Sequence, residues 1–213
     1  MTTIEPEYKS RIKQNEVAAE AYTGRKAKKN KAEMDLVKKG LARCNDVHTT
    51  LDAPCGVGRA TILLASLGFD ATGIDLGEGA VKIAQREMAL SGEKGKIEAG
   101  NLEDLHFGDQ AFDAVLCFRF YHHLPNDEIR QKVVDELCRT AKKYVLISYF
   151  SPYSFTSIKR YLRNRLGMKR SIQHATTLTS LTKKFEHCGY QLVEDIPQAR
   201  FFHTLHLAIY KKH

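Results

Sequence analysis

From residue 49 onward, short apolar segments alternate with longer ones in which apolar side chains recur every three or four positions. The short segments predict buried β-strands and the longer ones amphipathic α-helices. Strands are predicted over residues 49–53, 69–76, 96–99, 114–118, 144–150, 190–195 and 205–211, and helices over residues 60–67, 80–90 and 179–188, with another beginning near Asn126. Alternation with short connections indicates an α/β fold with a doubly wound parallel sheet.

The two segments outside this alternation differ in character. The first 45 residues are polar and predict helices, one of which carries Met34, Leu36, Val37 and Leu41 at helical spacing. Residues 151–175 are basic and irregularly apolar, and they lie between the fifth strand and the last helix. We treat residues 1–213 as a single domain with these two segments attached.

The composition is that of a globular domain, but it does not identify a binding partner. The 213 residues are 43% hydrophobic and 27% charged, which is ordinary for a globular domain. The net charge of +8 favours anionic partners such as nucleic acid, phosphorylated molecules or acidic membrane surfaces. Five cysteines without a CxxC pair argue against a disulfide framework and a structural zinc site, and we expect no metal. The sequence shows neither a signal peptide nor a membrane span, so we expect a cytoplasmic protein.

A glycine-containing loop follows the first predicted strand. In a doubly wound sheet the ligand binds at the carboxyl ends of the strands, and Gly56 and Gly58 allow the backbone to approach it closely. Asp75 ends the second strand, at the spacing expected for an acid that accepts hydrogen bonds from ribose hydroxyls. The pattern predicts a cofactor that carries a ribose.

The charge beside this loop separates two kinds of cofactor. A dinucleotide fingerprint requires glycine or alanine where Thr61 stands. Asp52 immediately precedes the loop, and its carboxylate would repel a pyrophosphate but favour a sulfonium amino acid. The sequence therefore favours a cationic cofactor over NAD.

Three stretches, LDAPCGVGRAT, ATGIDLGEGAV and GNLEDLHFGDQAFDAVLCFRFYHHL, resemble the class I S-adenosylmethionine (SAM) dependent methyltransferases over about residues 45–150. The resemblance implies a Rossmann-like, seven-stranded sheet, mostly parallel with an antiparallel last strand. Residues 1–45 would then form an N-terminal helical lid, and residues 151–175 an acceptor-lid insertion. SAM is the implied cofactor.

The resemblance also implies roles for particular residues. Asp75 would hold the ribose, Asn101 the adenine amino group, and the backbone near Cys117 the methionyl part of SAM. The implied cofactor-binding residues are Asp52, Ala53, Pro54, Cys55, Gly56, Gly58, Asp75, Leu76, Asn101, Leu102, Cys117 and Phe118. Two depart from the family pattern, since Pro54 stands for the first glycine and Asn101 for the usual aspartate.

Polar side chains after the fourth strand are the candidates for catalysis. Arg119, Tyr121 and His122 follow the strand end that would face the methyl group. His122 has the chemistry of a base near neutral pH, but it could equally close the cofactor pocket. Arg119 is suited to an anionic acceptor or to a salt bridge near the strand end.

The acceptor itself is less clearly encoded. Basic residues 159–170 fit a solvated lid, a membrane surface, or a phosphorylated, carboxylated or lipid-linked acceptor. The Pro-Pro-Tyr type of motif used by base methyltransferases is absent, and Cys117-Phe118-Arg119-Phe120 stands there. With no evident nucleic-acid module, the sequence favours O- or N-methylation of a small-molecule or amphiphilic, possibly anionic acceptor. An RNA methyltransferase and a non-catalytic SAM-binding regulator remain alternatives, and the oligomeric state is open.

Overall fold

A computed structural model of the chain describes residues 27–153, 174–199 and 205–213, with the side chains of residues 27 and 28 excepted. Residues 1–26 of the predicted N-terminal lid, residues 154–173 of the predicted insertion, and the basic segment 159–170 lie outside these ranges.

The described residues form five α-helices and seven β-strands around one sheet. In chain order they are α1 (Ala27–Leu41), β1 (Thr49–Asp52), α2 (Arg59–Ser66), β2 (Asp70–Asp75), α3 (Glu78–Ser91), β3 (Gly95–Ala99), β4 (Phe112–Cys117), α4 (Asp127–Thr140), β5 (Ala141–Phe150), α5 (Leu178–His187), β6 (Tyr190–Pro197) and β7 (Leu205–Lys212). A single 3₁₀ turn, Tyr121–His123, follows β4. All seven predicted strands are present.

The strand order is β3-β2-β1-β4-β5-β7-β6, and β7 alone runs antiparallel to its two neighbours. The chain starts at the centre with β1 and builds outward to β3, and it then returns to add β4 on the other side. The switch point therefore lies between β1 and β4, whose carboxyl ends carry Asp52 and Cys117. This order confirms the predicted doubly wound sheet with an antiparallel last strand.

Helices cover both faces of the sheet. The side chains of α1, α2 and α3 pack on one face, with Leu36, Leu64 and Ala84 buried there. On the other face α4 and α5 bury Val133 and Phe185. The buried strands read as nearly continuous apolar runs because both faces are covered.

Local signals explain where several helices begin and end. The Asn126 side chain accepts a hydrogen bond from the Ile129 amide at 2.9 Å, which confirms the predicted N-cap of α4. The Thr177 hydroxyl caps α5 in the same way by accepting from the Ser180 amide at 3.1 Å. Gly189, with φ 79°, follows the end of α5.

Strand β5 is longer than predicted. It begins at Ala141 rather than at residue 144, since Ala141 pairs with Phe112 on β4. The sequence did not predict this extension, because Lys142 and Lys143 interrupt the apolar run of a strand that is otherwise buried. The pairing partner, which the local pattern does not contain, sets the strand's start.

Candidate functional site

The loop between β1 and α2 is shaped by glycines and by hydrogen bonds to two strands. Gly56 and Gly58 have φ values of 58° and 82°, in the left-handed region that favours glycine. The Ala53 amide donates to the Leu116 carbonyl at 2.9 Å, and the Cys55 amide donates to the Ile74 carbonyl at 2.7 Å. The loop is therefore fixed at the switch point, where Pro54 follows a cis peptide bond.

Asp75 lies at the end of β2, directly beside this loop. One carboxylate oxygen accepts from the Gly56 amide at 2.9 Å, and the other accepts from the Gly77 amide at 2.8 Å. Each oxygen can accept further hydrogen bonds, and the side chain is only partly buried. The neighbouring Leu76 is 42% exposed, which offers an apolar surface next to the carboxylate. This arrangement suits a ribose with a base beside it.

Asp52 occupies a very different environment one strand away. It is buried, and one carboxyl oxygen accepts from the Thr61 hydroxyl at 2.8 Å. The other oxygen, Oδ1, is buried with no hydrogen-bond partner among the described residues. Burial raises the pKa of this carboxyl to about 7, although Thr61 and Arg59 oppose the shift. A nearby cationic group would stabilise the charged form of this buried acid, whose Oδ1 has no partner among the described residues.

Asn101 sits in a tight turn after β3. Its side-chain oxygen accepts from the Glu103 amide at 3.0 Å, and the preceding Gly100 amide donates to the Asp75 carbonyl at 3.1 Å. The turn brings Asn101 near Asp75, while Leu102 is buried in the core. The Asn101 side-chain oxygen, which is predicted to bind adenine, thus already accepts one hydrogen bond. A contact with adenine would use the other lone pair of this oxygen or the side-chain amide nitrogen.

Two thiols near the site are buried. Burial raises the pKa of both Cys55 and Cys117, so both stay protonated near neutral pH. The Cys117 side chain faces the core beneath α4, whereas Cys55 and Phe118 face α2 and α3. This burial indicates that both thiols act as small packing side chains. A ligand would therefore contact the backbone of these residues rather than their thiols.

Arg119 and His122 come together beyond the end of β4. Arg119 has φ 64°, and its amide donates to the buried Ser148 hydroxyl at 2.6 Å. Its guanidinium lies 5.4 Å from the centre of the Phe150 ring, and its Nε lies 3.6 Å from the carboxylate of Glu33. The His122 ring is buried and stacks on Phe150 with ring centres 3.8 Å apart. The salt bridge considered for Arg119 is therefore present.

Tyr121 faces away from this pair. Its ring belongs to the core cluster beneath α4, and the Arg130 guanidinium lies 5.3 Å from the ring centre. Its hydroxyl is buried without a hydrogen-bond partner among the described residues. Burial raises the pKa of this hydroxyl, which keeps it protonated. The structure thus separates Tyr121 from the two other predicted catalytic side chains.

Comparison with known proteins agrees with this geometry. Residues 50–144 match the family described as a methyltransferase domain. The chain is 27% identical over 138 residues to an uncharacterized methyltransferase, YcgJ, of Bacillus subtilis, covering 63% of this chain and 53% of that protein. It is 36% identical over 129 residues to the ubiquinone biosynthesis O-methyltransferase of Methylococcus capsulatus, covering 56% of this chain and 52% of the relative. Over residues 50–144, the chain is therefore similar to the class I SAM-dependent methyltransferases.

A solved structure confirms the fold. The magnesium protoporphyrin IX methyltransferase of Synechocystis PCC 6803 with bound SAH superposes with a TM-score of 0.70 at 17% identity. The superposition covers 87% of this chain and 83% of that one. The chain spans about half or less of the length of the curated relatives it matches, such as 53% of YcgJ and 33% of the glycine N-methyltransferase of Rattus norvegicus. The predicted Rossmann-like fold is thus confirmed, and the predicted methyltransferase family is matched over residues 50–144.

The candidate site contains a charged residue that the sequence analysis missed. Glu33 on α1 is fully buried, and it pairs with both Arg59 and Arg119. A signal for it exists in the sequence, because Glu33 stands four residues before Val37, on the stripe that otherwise carries apolar side chains. A charged residue at such a position needs a partner. The partners lie 26 and 86 residues away and carry no local signal.

Among residues 27–153, 174–199 and 205–213, no group of three or more His, Cys, Asp or Glu side chains is placed to hold a metal ion. Over the same ranges, no helix has the length and apolar character that crossing a bilayer requires.

Proposed function

We propose that this chain transfers a methyl group from SAM to an oxygen or nitrogen atom of a small-molecule acceptor. The observation that carries the proposal is the Asp75 carboxylate, which two backbone amides hold beside the glycine loop. When bound, SAM supplies a methyl group activated by its sulfonium. Asp75 would hold the ribose, Leu76 would pack against the adenine, and the loop from Asp52 to Gly58 would surround the methionyl part.

The acceptor is proposed to bind beyond β4, where Arg119 and His122 lie. Methyl transfer is an in-line displacement, so the main task of these residues is to orient the acceptor and exclude water. A hydroxyl acceptor must also lose its proton, and His122 has the chemistry of a base for that step. Its complete burial favours the other role, that of closing the cofactor pocket, and we propose that role for it.

We further propose an acceptor that is anionic or amphiphilic. Arg119 supplies a cationic group at the acceptor side, and the chain carries a net charge of +8. Several relatives are named as ubiquinone biosynthesis O-methyltransferases, which favours an oxygen acceptor. One is named as a glycine N-methyltransferase, and a nitrogen acceptor is therefore kept in the test.

The first test measures cofactor binding. Calorimetry with SAH, the demethylated product, should give an affinity for Asp75→Ala that is roughly tenfold to hundredfold weaker, because a charged hydrogen-bond acceptor is lost. Asp70→Ala is the matched control, since Asp70 is an exposed acid at the opposite end of the same strand. Unchanged affinity in Asp75→Ala would contradict the assigned site.

The second test measures methyl transfer. We expect labelled methyl from SAM to enter hydroxylated aromatic carboxylates or small amines, and not RNA. Labelling of RNA that weakens steeply with salt would support an RNA methyltransferase instead. SAM binding without transfer to any of these acceptors would support a non-catalytic regulator.

A further inference from the structure

Helix α1 carries one stripe of residues that changes from polar to apolar along the helix. Toward its carboxyl end the stripe consists of Val37, Gly40 and Leu41, all buried against the sheet. Gly40 packs so closely that an added Cβ would lie 2.6 Å from a methyl carbon of Leu207 on β7. Toward the amino end the same stripe carries Asn30 and Glu33. The apolar end docks the helix, and the polar end extends to the carboxyl edge of the sheet.

Glu33 joins two segments that are distant in the sequence. Its carboxylate lies 3.1 Å from Nη1 of Arg59 and 3.6 Å from Nε of Arg119. The same Nη1 donates a hydrogen bond to the Asn30 side-chain oxygen. Arg59 is the first residue of α2 and directly follows Gly58 of the cofactor loop. Helix α1 is thus connected to both the cofactor loop and the acceptor side.

Stability alone does not explain this arrangement. Burying a carboxylate is costly, and the attraction to its partners typically does no more than offset that cost. The apolar stripe of α1 already provides the favourable burial that docks the helix. A buried ionic cluster does, however, fix the positions of its members closely, because its hydrogen bonds tolerate little displacement.

We propose that Glu33 is a positioning residue for cofactor binding: through Arg59 it holds the start of α2, and hence the cofactor loop, in the binding conformation. Docking of α1 then becomes a condition for a complete cofactor site. The inference rests on the proposed SAM site, and its test therefore uses a variant outside that site's own contacts. Arg59 directly follows Gly58, so its side chain extends from the residue at which the cofactor loop joins α2.

The test is a double-mutant cycle on SAH affinity, measured by calorimetry on the full chain. Glu33→Gln and Arg59→Met should each weaken binding about tenfold, which corresponds to about 1.4 kcal/mol. If Glu33 acts through Arg59, the double variant should bind SAH no more weakly than whichever single variant has the lower SAH affinity. Losses that multiply in the double variant, or unchanged affinity in Glu33→Gln, would overturn the proposal.

Controls separate this result from folding and from failure of the site itself. Asp35→Asn neutralises the other acid of α1 and should leave SAH affinity and the unfolding midpoint unchanged. If Glu33→Gln does not fold, Glu33→Met with Arg59→Met removes the acid together with one of its two arginine partners and should keep the fold while losing SAH affinity. Wild-type affinity in that pair would overturn the proposal. If the wild-type chain does not bind SAH, or Asp75→Ala binds it normally, the proposed site fails instead.

Discussion

The two sides of the site are constructed in different ways. The proposed cofactor edge, residues 52–58 and 75–77, consists of short contiguous segments held by hydrogen bonds that backbone amides donate, such as those from Gly56 and Gly77 to the Asp75 carboxylate. The acceptor edge, residues 119–123 with Phe150, is held by side chains from distant segments, including Glu33. A backbone-held site needs a local motif, whereas a side-chain network needs the complete fold.

The two edges also differ in how far the charged and polar side chains discussed here are exposed to solvent. At the cofactor edge Asp75 remains partly exposed, so a ligand can reach its carboxylate oxygens. At the acceptor edge His122 and Glu33 are buried completely. Packing and ion pairing order the acceptor edge, and Glu33 connects it through Arg59 to the start of α2 beside the cofactor edge. Three substitutions test this contrast.

The largest expected effect is at Asp52, the buried acid of the cofactor edge. Its pKa rises from 3.8 in the unfolded chain to about 7 on folding because of burial. Between about pH 4 and pH 7 the unfolded chain loses this proton while the folded chain keeps it, so stability falls as pH rises. We expect Asp52→Asn to be more stable than the wild type at pH 8 by up to about 4 kcal/mol, and equal near pH 4.

Urea unfolding at a series of pH values measures this difference, and Asp113 supplies a control of opposite sign. Burial raises the pKa of Asp113, but hydrogen bonds from the His48 and Thr49 amides outweigh it, and the pKa is lowered overall. Asp113→Asn should therefore destabilise the protein near neutral pH and lose its effect in acid. A pH-independent difference for Asp52→Asn would show that the buried acid is not protonated as described.

A smaller effect is expected at Gly73, beneath the cofactor loop. A Cβ there would lie 2.5 Å from the Thr61 hydroxyl oxygen and 3.0 Å from Cβ of Cys55. Gly73→Ala should cost about 1–3 kcal/mol through overpacking, and it should weaken SAH binding by displacing Thr61 from Asp52. Gly108→Ala, where nothing lies within 4 Å of the added carbon, is the control. Equal unfolding midpoints for the two variants would refute the close packing.

The smallest effect is expected at His122 on the acceptor edge. Because the ring is buried and stacked on Phe150, His122→Phe should preserve the packing, and His122→Ala should lower the unfolding midpoint more. We expect methyl transfer by His122→Phe to stay within about tenfold of wild type, since loss of a general base typically costs about 10²–10⁴. A loss in that larger range, with SAH affinity unchanged, would identify His122 as the base.

Much of the cofactor edge was predictable because its signals are local. The spacing of Gly56, Gly58 and Asp75 predicted a ribose-binding loop, and in the structure Gly56 contacts Asp75 while both glycines have left-handed φ values. The acceptor edge was only partly predictable. Arg119 and His122 were identified by their position after a strand, but Tyr121, two residues after Arg119, faces the opposite core cluster. In a 3₁₀ turn, adjacent side chains point in different directions. The pattern of apolar residues in the sequence does not predict which way each of them points.

The sequence by itself determined the class of fold, the order of the elements and the cofactor loop, because hydrophobic periodicity and glycine spacing act over a few residues. Only the tertiary structure decided which charges meet. Glu33, Arg59 and Arg119 come together because α1 docks across β7 and the doubly wound order places the ends of β1 and β4 side by side. Ion pairing depends on distances in space, and the separation of these three residues along the chain does not indicate that they pair.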